Sequence, residues 1–304
     1  MRKLLVVELL GGRRAKDAWR AREAEVDKLI SRLTHSEGKP VSLEDHIFGL
    51  VDGIIGTVAL GNIHGRKQFT DQKHFHDVFE EAMSAKASFS AENYFPNVVG
   101  RLIDRLTGVI SRRENYFPNP SRSMGDSNGP DFIDVLIGLV NNEDQTSLRF
   151  TKDHVKGLLS NRFSGGVDTS SVTMVWAMAE VMKNPMVLKK AQEEIRSVVG
   201  NKERVQPDDV PKLKYLKMVV KEALRLHPTA PLLAPRETIR HVKICGYDVP
   251  AKTRLLVNVW AIGRDTASWD NPHEFNQKDS KERRTSLMGR ILSWYHSVLA
   301  AECA

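Results

Sequence analysis

Two cysteines in 304 residues, Cys245 and Cys303, are too few for a disulfide framework, and neither belongs to a zinc-site spacing. Long apolar runs are missing too. The longest, residues 47–60, contains Asp52 and several glycines and falls short of the roughly 20 residues that span a bilayer. Leu4 to Leu10 is too short for a secretory signal and is broken by Glu8. No block of one charge sign stands out. The net charge is +7, but lysine and arginine are scattered, and the run Lys281-Glu282-Arg283-Arg284 carries its own acid. Such basicity suits mild attraction to acidic partners or an anionic membrane surface and speaks against nucleic-acid recognition. Repeat architecture is also excluded. Glu92 to Asn97 recurs as Glu114 to Asn119, but stacked arrays need three or more units.

What is present is helical periodicity. With 41% hydrophobic and 27% charged residues, the composition is that of a globular chain. Residues 1–35 read as helix, with Val26, Leu29, Ile30 and Leu33 as an apolar stripe. Lys39-Pro40 breaks the pattern, and Ser42 caps a second helix carrying Ile47, Leu50, Val51, Ile54, Ile55 and Val58. A third helix is expected over 71–88 and a short one around Leu102 to Ile110. Residues 118–130 read as a loop, and another helix starts near Phe132. Asn184-Pro185 reads as an N-cap with proline at the first helical position, and Gly200 as that helix's stop. Val210-Pro211 opens the next helix, which His227-Pro228 ends. Val242 to Ile244 and Leu255 to Val259, joined through Gly246 and Pro250, read as a β-hairpin. The fold class is therefore mainly α with a small β-sheet. Residues 277–304 lose this regularity and form a divergent tail, with residues 1–276 as the main domain.

The central stretch is Phe163-Ser164-Gly165-Gly166-Val167-Asp168-Thr169-Ser170-Ser171. Leu158, Leu159 and Phe163 precede it, and Val172, Val175, Trp176, Ala179 and Met182 follow at helical spacing. One reading is an ordinary helix start with Asp168 or Thr169 as N-cap, although no Glu or Gln completes a capping box. The other is one continuous helix over 155–182. There the glycines leave backbone bare for a large flat ligand, and Asp168 and Thr169 supply an acid and a hydroxyl.

Further on, Glu222 and Arg225 stand three apart on one helix face, the spacing of an ordinary surface pair. They belong to an ordered series. Lys221-Glu222-Ala223-Leu224-Arg225-Leu226-His227-Pro228 is followed by Pro235-Arg236-Glu237-Thr238, Trp260-Ala261-Ile262-Gly263-Arg264-Asp265 and Trp269-Asp270-Asn271-Pro272-His273-Glu274-Phe275-Asn276. Taken with Gly165 to Ser170, this series resembles the cytochrome P-450 monooxygenases, in particular the plant microsomal group that acts on specialised metabolites. The resemblance covers residues 2–276 and implies a partial cytochrome P-450 fold.

By that resemblance, Gly165 and Gly166 would contact haem in an oxygen-binding groove, and Asp168 and Thr169 would be the acid–alcohol pair that directs protons to dioxygen. Glu222 and Arg225 would be a buried ion pair. Arg236 would bond a haem propionate through its fork of donors, and Arg2 would make another such contact. Thr229, Ala230, Pro231, Leu232, Leu233 and Ala234 would line the pocket of a small apolar substrate. An NADPH-cytochrome P-450 reductase is the implied electron donor, and the cytosolic face of the endoplasmic reticulum membrane the implied location. The family's iron is held by a cysteine thiolate in a Phe-x-x-Gly-x-Arg-x-Cys-x-Gly loop. The chain as written departs from the pattern after Asn276, and neither Cys245 nor Cys303 sits in such a loop, so no metal ligand is assigned. The family's amino-terminal anchor is likewise not recognisable. Two readings follow: a haem-thiolate monooxygenase seen through an incomplete chain, and a non-catalytic remnant acting through protein contacts. The chain as written is expected to hold haem poorly, with the Glu222–Arg225 network incompletely satisfied because Gln277 to Ser280 replaces its expected third member.

Overall fold

The computed structural model describes residues 12–36, 38–60, 136, 138, 140, 151–244 and 246–276. The expectations for 71–88, 102–110, 118–130 and the tail lie outside these residues, as do Arg2, Cys245 and Cys303. The chain divides into two compact units, residues 1–168 and 169–304.

In the first unit, α1 (Gly12–His35) packs on α2 (Leu43–Leu60) through a short connection. Arg32 and His35 in its last turn suit the negative end of the helix dipole. Ser42 caps α2 as expected, its Oγ accepting the Asp45 amide at 3.3 Å. The apolar stripe of α1 does not supply its buried side. Val26, Ile30 and Leu33 are exposed, whereas Ala21 and Glu25 are buried. Close packing decides this: a Cβ on Gly53 of α2 would collide with the Glu25 carboxylate, so the interface forms where one partner has no side chain. Ile47 and Val51 fill the rest of it.

The long helix α3 (Lys152–Lys183) runs unbroken through Gly165 and Gly166. This removes the N-cap reading of Asp168. Periodicity on both sides of the glycines outweighs their helix cost of about 1 kcal/mol each. Asn184 follows, but its side chain does not cap α4 (Pro185–Val199). Its Nδ2 instead donates to the Glu180 carbonyl at 2.8 Å, closing the end of α3. Proline at the first position of α4 needs no amide partner, which leaves Asn184 available for that task. Gly200 ends α4, its N–H bonding the Arg196 carbonyl.

In the second unit, a 3-10 turn (Val210–Lys212) precedes α5 (Lys214–Leu226). The start of α5 is capped from α4. The amides of Tyr215 and Leu216 donate to the two carboxylate oxygens of Glu194 at 2.7 and 3.0 Å. A negative charge there meets both unpaired amides and the positive end of the helix dipole. Burial, with the Glu194 charge beside it, pushes the Tyr215 phenol up. Val181, Val187 and Val219 form the shared core of α3, α4 and α5, with Leu188, Tyr215 and Phe275 against it.

The turn between α4 and α5 is built on Asp209. Its side chain is buried and accepts Lys202 Nζ on both oxygens at 2.8 Å, Lys212 Nζ at 3.2 Å and the Gln206 amide at 3.1 Å.

The strands pair otherwise than the sequence suggests. β2 (Val242–Ile244) pairs antiparallel with β3 (Tyr247–Val249), and β1 (Arg236–Glu237) pairs with β4 (Arg254–Leu255). Gly246 at φ +87° closes the β2–β3 turn within two residues, so the hairpin is complete before Pro250. Buried Thr238 fastens the other pair, its Oγ1 donating to the Pro250 carbonyl at 2.6 Å and accepting the Thr253 amide at 2.9 Å. Val259, expected in a strand, opens the short helix α6 (Val259–Ile262), which is capped by the Asn258 side chain.

Two outcomes test this account. Glu194→Ala leaves two helix-start amides unpaired and is expected to cost about 1–2 kcal/mol in urea unfolding, within the range of lost caps. Hydrogen bonding from Lys202 and the Gln206 amide holds the Asp209 carboxyl below its ordinary 3.8, at about 2. A depressed carboxylate stabilises the fold above its unfolded pKa of about 3.9, and that contribution is lost as pH falls through the folded value. Stability of the unsubstituted chain should therefore fall between about pH 4 and pH 2 more steeply than that of Asp209→Asn, read by circular dichroism melts across that window.

Candidate functional site

Helix α5 is amphipathic, with Val219, Glu222, Ala223, Arg225 and Leu226 on its buried side. Two of those five are charged, so the burial stands only if both charges are fully bonded. They are. Arg225 Nε and one terminal nitrogen donate to Glu222 Oε2 and Oε1 at 2.9 and 2.7 Å. Its remaining N–H groups donate to the carbonyls of Gly263 at 2.6 Å, Pro272 at 2.7 Å and Glu274 at 2.9 Å. All five guanidinium donors are thus spent. The Asn276 amide adds a bond to Glu222 Oε1 at 3.0 Å. The guanidinium also lies 5.0 Å from the ring centroid of buried Trp269, whose Nε1 donates to the Ile262 carbonyl.

The expected deficit of this network is therefore corrected. Backbone groups of residues 263–276 supply the acceptors and the donor that a third side chain was expected to bring. Gly263 makes their approach possible, because a Cβ there would collide with the Arg225 carbonyl. Beside it, Arg264 bonds the Leu226 carbonyl at 2.6 Å, a cation at the negative end of α5, and stacks on Trp260 at 4.2 Å. Burial and the adjacent Arg225 charge push Arg264 down from its ordinary value.

A groove of about 420 Å³ lies between α3 and the end of α5, within the range of roughly 300–1,000 Å³ usual for small-molecule sites. Thr169, Ser170, Thr173 and Met174 line it from α3, Leu224 from α5, and Thr229 from the segment after it. The lining is uncharged: four hydroxyls and two apolar side chains. Thr173 Oγ1 donates to the Thr169 carbonyl at 2.7 Å, which leaves its oxygen lone pairs as acceptors. One turn further along α3, the indole of Trp176 stacks on the imidazole of His227, and Glu180 Oε1 lies 2.9 Å from His227 Nε2.

Among the residues singled out by sequence, Thr169 and Thr229 meet in this groove. Asp168 is half-buried on the preceding position of α3. The two glycines differ. Among the described residues, a Cβ on Gly165 would meet nothing within 4 Å, whereas one on Gly166 would press on Ile55 Cδ1 of α2 at 3.0 Å. The bare backbone of Gly166 thus serves helix packing. Of residues 229–234, Thr229 lines the groove and Leu233 turns away, packing on Val257 and Val259 at φ +51°. Ala230, Pro231, Leu232 and Ala234 are exposed, and the Pro231 carbonyl accepts the Val259 amide at 2.8 Å. Arg236 is exposed on β1. Sequence reasoning missed Thr173, Met174, Leu224 and the Trp176–Glu180–His227 cluster. The four-residue spacing of Trp176 and Glu180 marked a shared face, but nothing in the sequence pointed that face at His227.

A family model described as Cytochrome P450 matches residues 1–279. The chain is 54% identical over 293 residues to a 4-hydroxyphenylacetaldehyde oxime monooxygenase of Sorghum bicolor, covering 91% of this chain and 55% of that protein. It is 46% identical over 290 residues to a 2-methylbutanal oxime monooxygenase of Manihot esculenta, covering 91% and 56%. The chain thus spans little more than half the length of these plant relatives. Among solved structures, a zebrafish cytochrome P450 determined with progesterone superposes with a TM-score of 0.63 at 22% identity, over 91% of this chain and 63% of that one.

The buried pair generates a prediction. Glu222→Ala leaves Arg225 buried beside a lost partner and is expected to cost about 3–5 kcal/mol in denaturant unfolding. Gly263→Ala should also destabilise the chain, by forcing apart the backbone contact that the pair depends on. A Gly263→Ala chain as stable as the parent would show that residue 263 is not a close-approach point.

Proposed function

The chain belongs to the cytochrome P450 family, and from that premise we propose that it forms part of a haem-dependent monooxygenase acting on a small aldehyde oxime. The carrying observation is the groove, whose hydroxyl-bearing and apolar side chains match the two ends of such a ligand. An oxime N–OH donates and accepts hydrogen bonds, as threonine and serine hydroxyls do. Met174 and Leu224 offer contact to its carbon skeleton. The names of the Sorghum bicolor and Manihot esculenta relatives support the same substrate class.

The uncharged lining of the groove fits the face of a flat macrocycle. By the family resemblance Gly165 and Arg236 would each contact haem, Arg236 by pairing with a propionate. Bound haem supplies the dioxygen chemistry. The chain supplies the proton path: the Asp168 carboxyl is the source, and Thr169 Oγ1, in the groove, is the relay. Electrons would come from an NADPH-cytochrome P-450 reductase at the cytosolic face of the endoplasmic reticulum. No described helix is long and apolar enough to cross a membrane, so the proposed attachment does not rest on one of them.

The test supplies haem, reductase, NADPH and 4-hydroxyphenylacetaldehyde oxime to two chains. One is the 304-residue chain, and the other carries a Phe-x-x-Gly-x-Arg-x-Cys-x-Gly loop after Asn276. Oxygen-dependent loss of the oxime by the extended chain is expected, and Thr169→Ala should slow it by about 100-fold, the low end of general acid–base effects. No conversion by either chain would sink the reading. The 304-residue chain in the same assay separates the monooxygenase from the non-catalytic remnant.

A further inference from the structure

Trp176, Glu180 and His227 have no part in the chemistry above, yet each is tightly placed. The two rings lie 3.9 Å apart between centroids with their planes 3° from parallel. The imidazole edge is held as well, with Nε2 at 2.9 Å from Glu180 Oε1. Glu180 is buried, and a buried carboxylate requires such a partner. His227 is thus fixed on one face by the indole and on its edge by the carboxylate, both from α3. Trp176 remains 41% exposed, so the stack orients a ring more than it buries apolar area.

The location gives this clasp its consequence. His227 is the C-cap of α5, with φ −125° and ψ 66°, and Pro228 then directs the chain away from the helix. Leu224 and Thr229 flank His227 in sequence, and both line the groove. Thr173, which lines the opposite wall, lies one turn before Trp176 on α3. The clasp therefore joins the elements that form the two walls. On the far side of Thr229, the Pro231 carbonyl is tied to the Val259 amide.

We propose that His227 is a positioning residue that sets the width of the groove: pinned between Trp176 and Glu180, it holds the Leu224–Thr229 wall against α3 and thereby selects ligands by size. The selection by size rests on the reading of the groove as a substrate site, whereas the positioning does not.

The test uses the 304-residue chain with Trp176→Leu, Trp176→Phe, Glu180→Gln and His227→Asn. Amide hydrogen exchange is followed at Leu233 and Val259, whose N–H groups bond the Ala230 and Pro231 carbonyls at 3.1 and 2.8 Å, with the β2–β3 hairpin as reference. Trp176→Leu and His227→Asn should speed exchange at those two residues by about twofold to tenfold, the range an aromatic pair supplies, and leave the hairpin unchanged. Trp176→Phe, which keeps a ring to stack, should restore protection. Unchanged exchange in every variant overturns the proposal, as does an equal rise at the hairpin, which would mark general loss of stability. Should His227→Asn fail to fold, the contrast between Phe and Leu at position 176 decides alone.

Equilibrium dialysis of 4-hydroxyphenylacetaldehyde oxime and 2-methylbutanal oxime supplies the second readout. The ratio of their affinities should shift in Trp176→Leu and return in Trp176→Phe. A constant ratio with locally faster exchange overturns the selection by size. Absence of binding of either oxime to the unsubstituted chain counts against the oxime reading, and the exchange result still decides the positioning role.

Discussion

Burial of the Arg225 charge is the constraint on which the second unit depends. A guanidinium taken out of water is tolerated only when its donors are spent. Two of the five go to Glu222, and the other three reach carbonyls 38 to 49 positions along the chain. The segment from Gly263 to Asn276 carries little regular structure of its own, and this pair fixes its path. Trp269 beneath the guanidinium and Gly263 against the Arg225 carbonyl follow from the same requirement.

Helix ends repeat the theme at lower cost. Glu194 receives the first amides of α5, Arg264 meets its last carbonyls, and Asn184 closes α3. Each partner comes from outside the helix it serves, which couples neighbouring elements where their backbones are unpaired. Asp209 does the same for the α4–α5 turn, gathering two lysines and an amide around one buried carboxylate. These contacts tie α4 to α5 and close the end of α3, and the groove lies between α3 and the end of α5.

The groove combines a hydroxyl-rich wall on α3 with a wall whose course is set by His227. Under the proposed function that division separates chemistry from selection, because Thr169, the proposed relay, lies on the long helix α3. Under the proposed positioning role, the Trp176–His227 stack and the Glu180–His227 pair join the opposite wall to α3, so changes there are expected to adjust the shape of the groove.

By itself the sequence determined the family and the ends of most described helices, and it offered the course of the long helix as one of two readings. Those features depend on local spacing: apolar periodicity through Gly165-Gly166, proline at position 185, and His227-Pro228 at the end of α5. It also marked Glu222 and Arg225 as partners. Tertiary structure alone decided which residues complete that pair, because the acceptors are backbone carbonyls, and every residue has one. It decided that Gly166 faces Ile55 while Gly165 meets no described side chain, although the two are chemically identical. It turned Leu233 onto Val257 and Val259, leaving Thr229 as the groove residue of its segment. It moved the β2 partner from 255–259 to Tyr247–Val249, because a left-handed glycine closes a turn sooner than strand composition suggests. In each case the deciding quantity is a distance between residues remote in the chain, and periodicity along the chain holds no record of it.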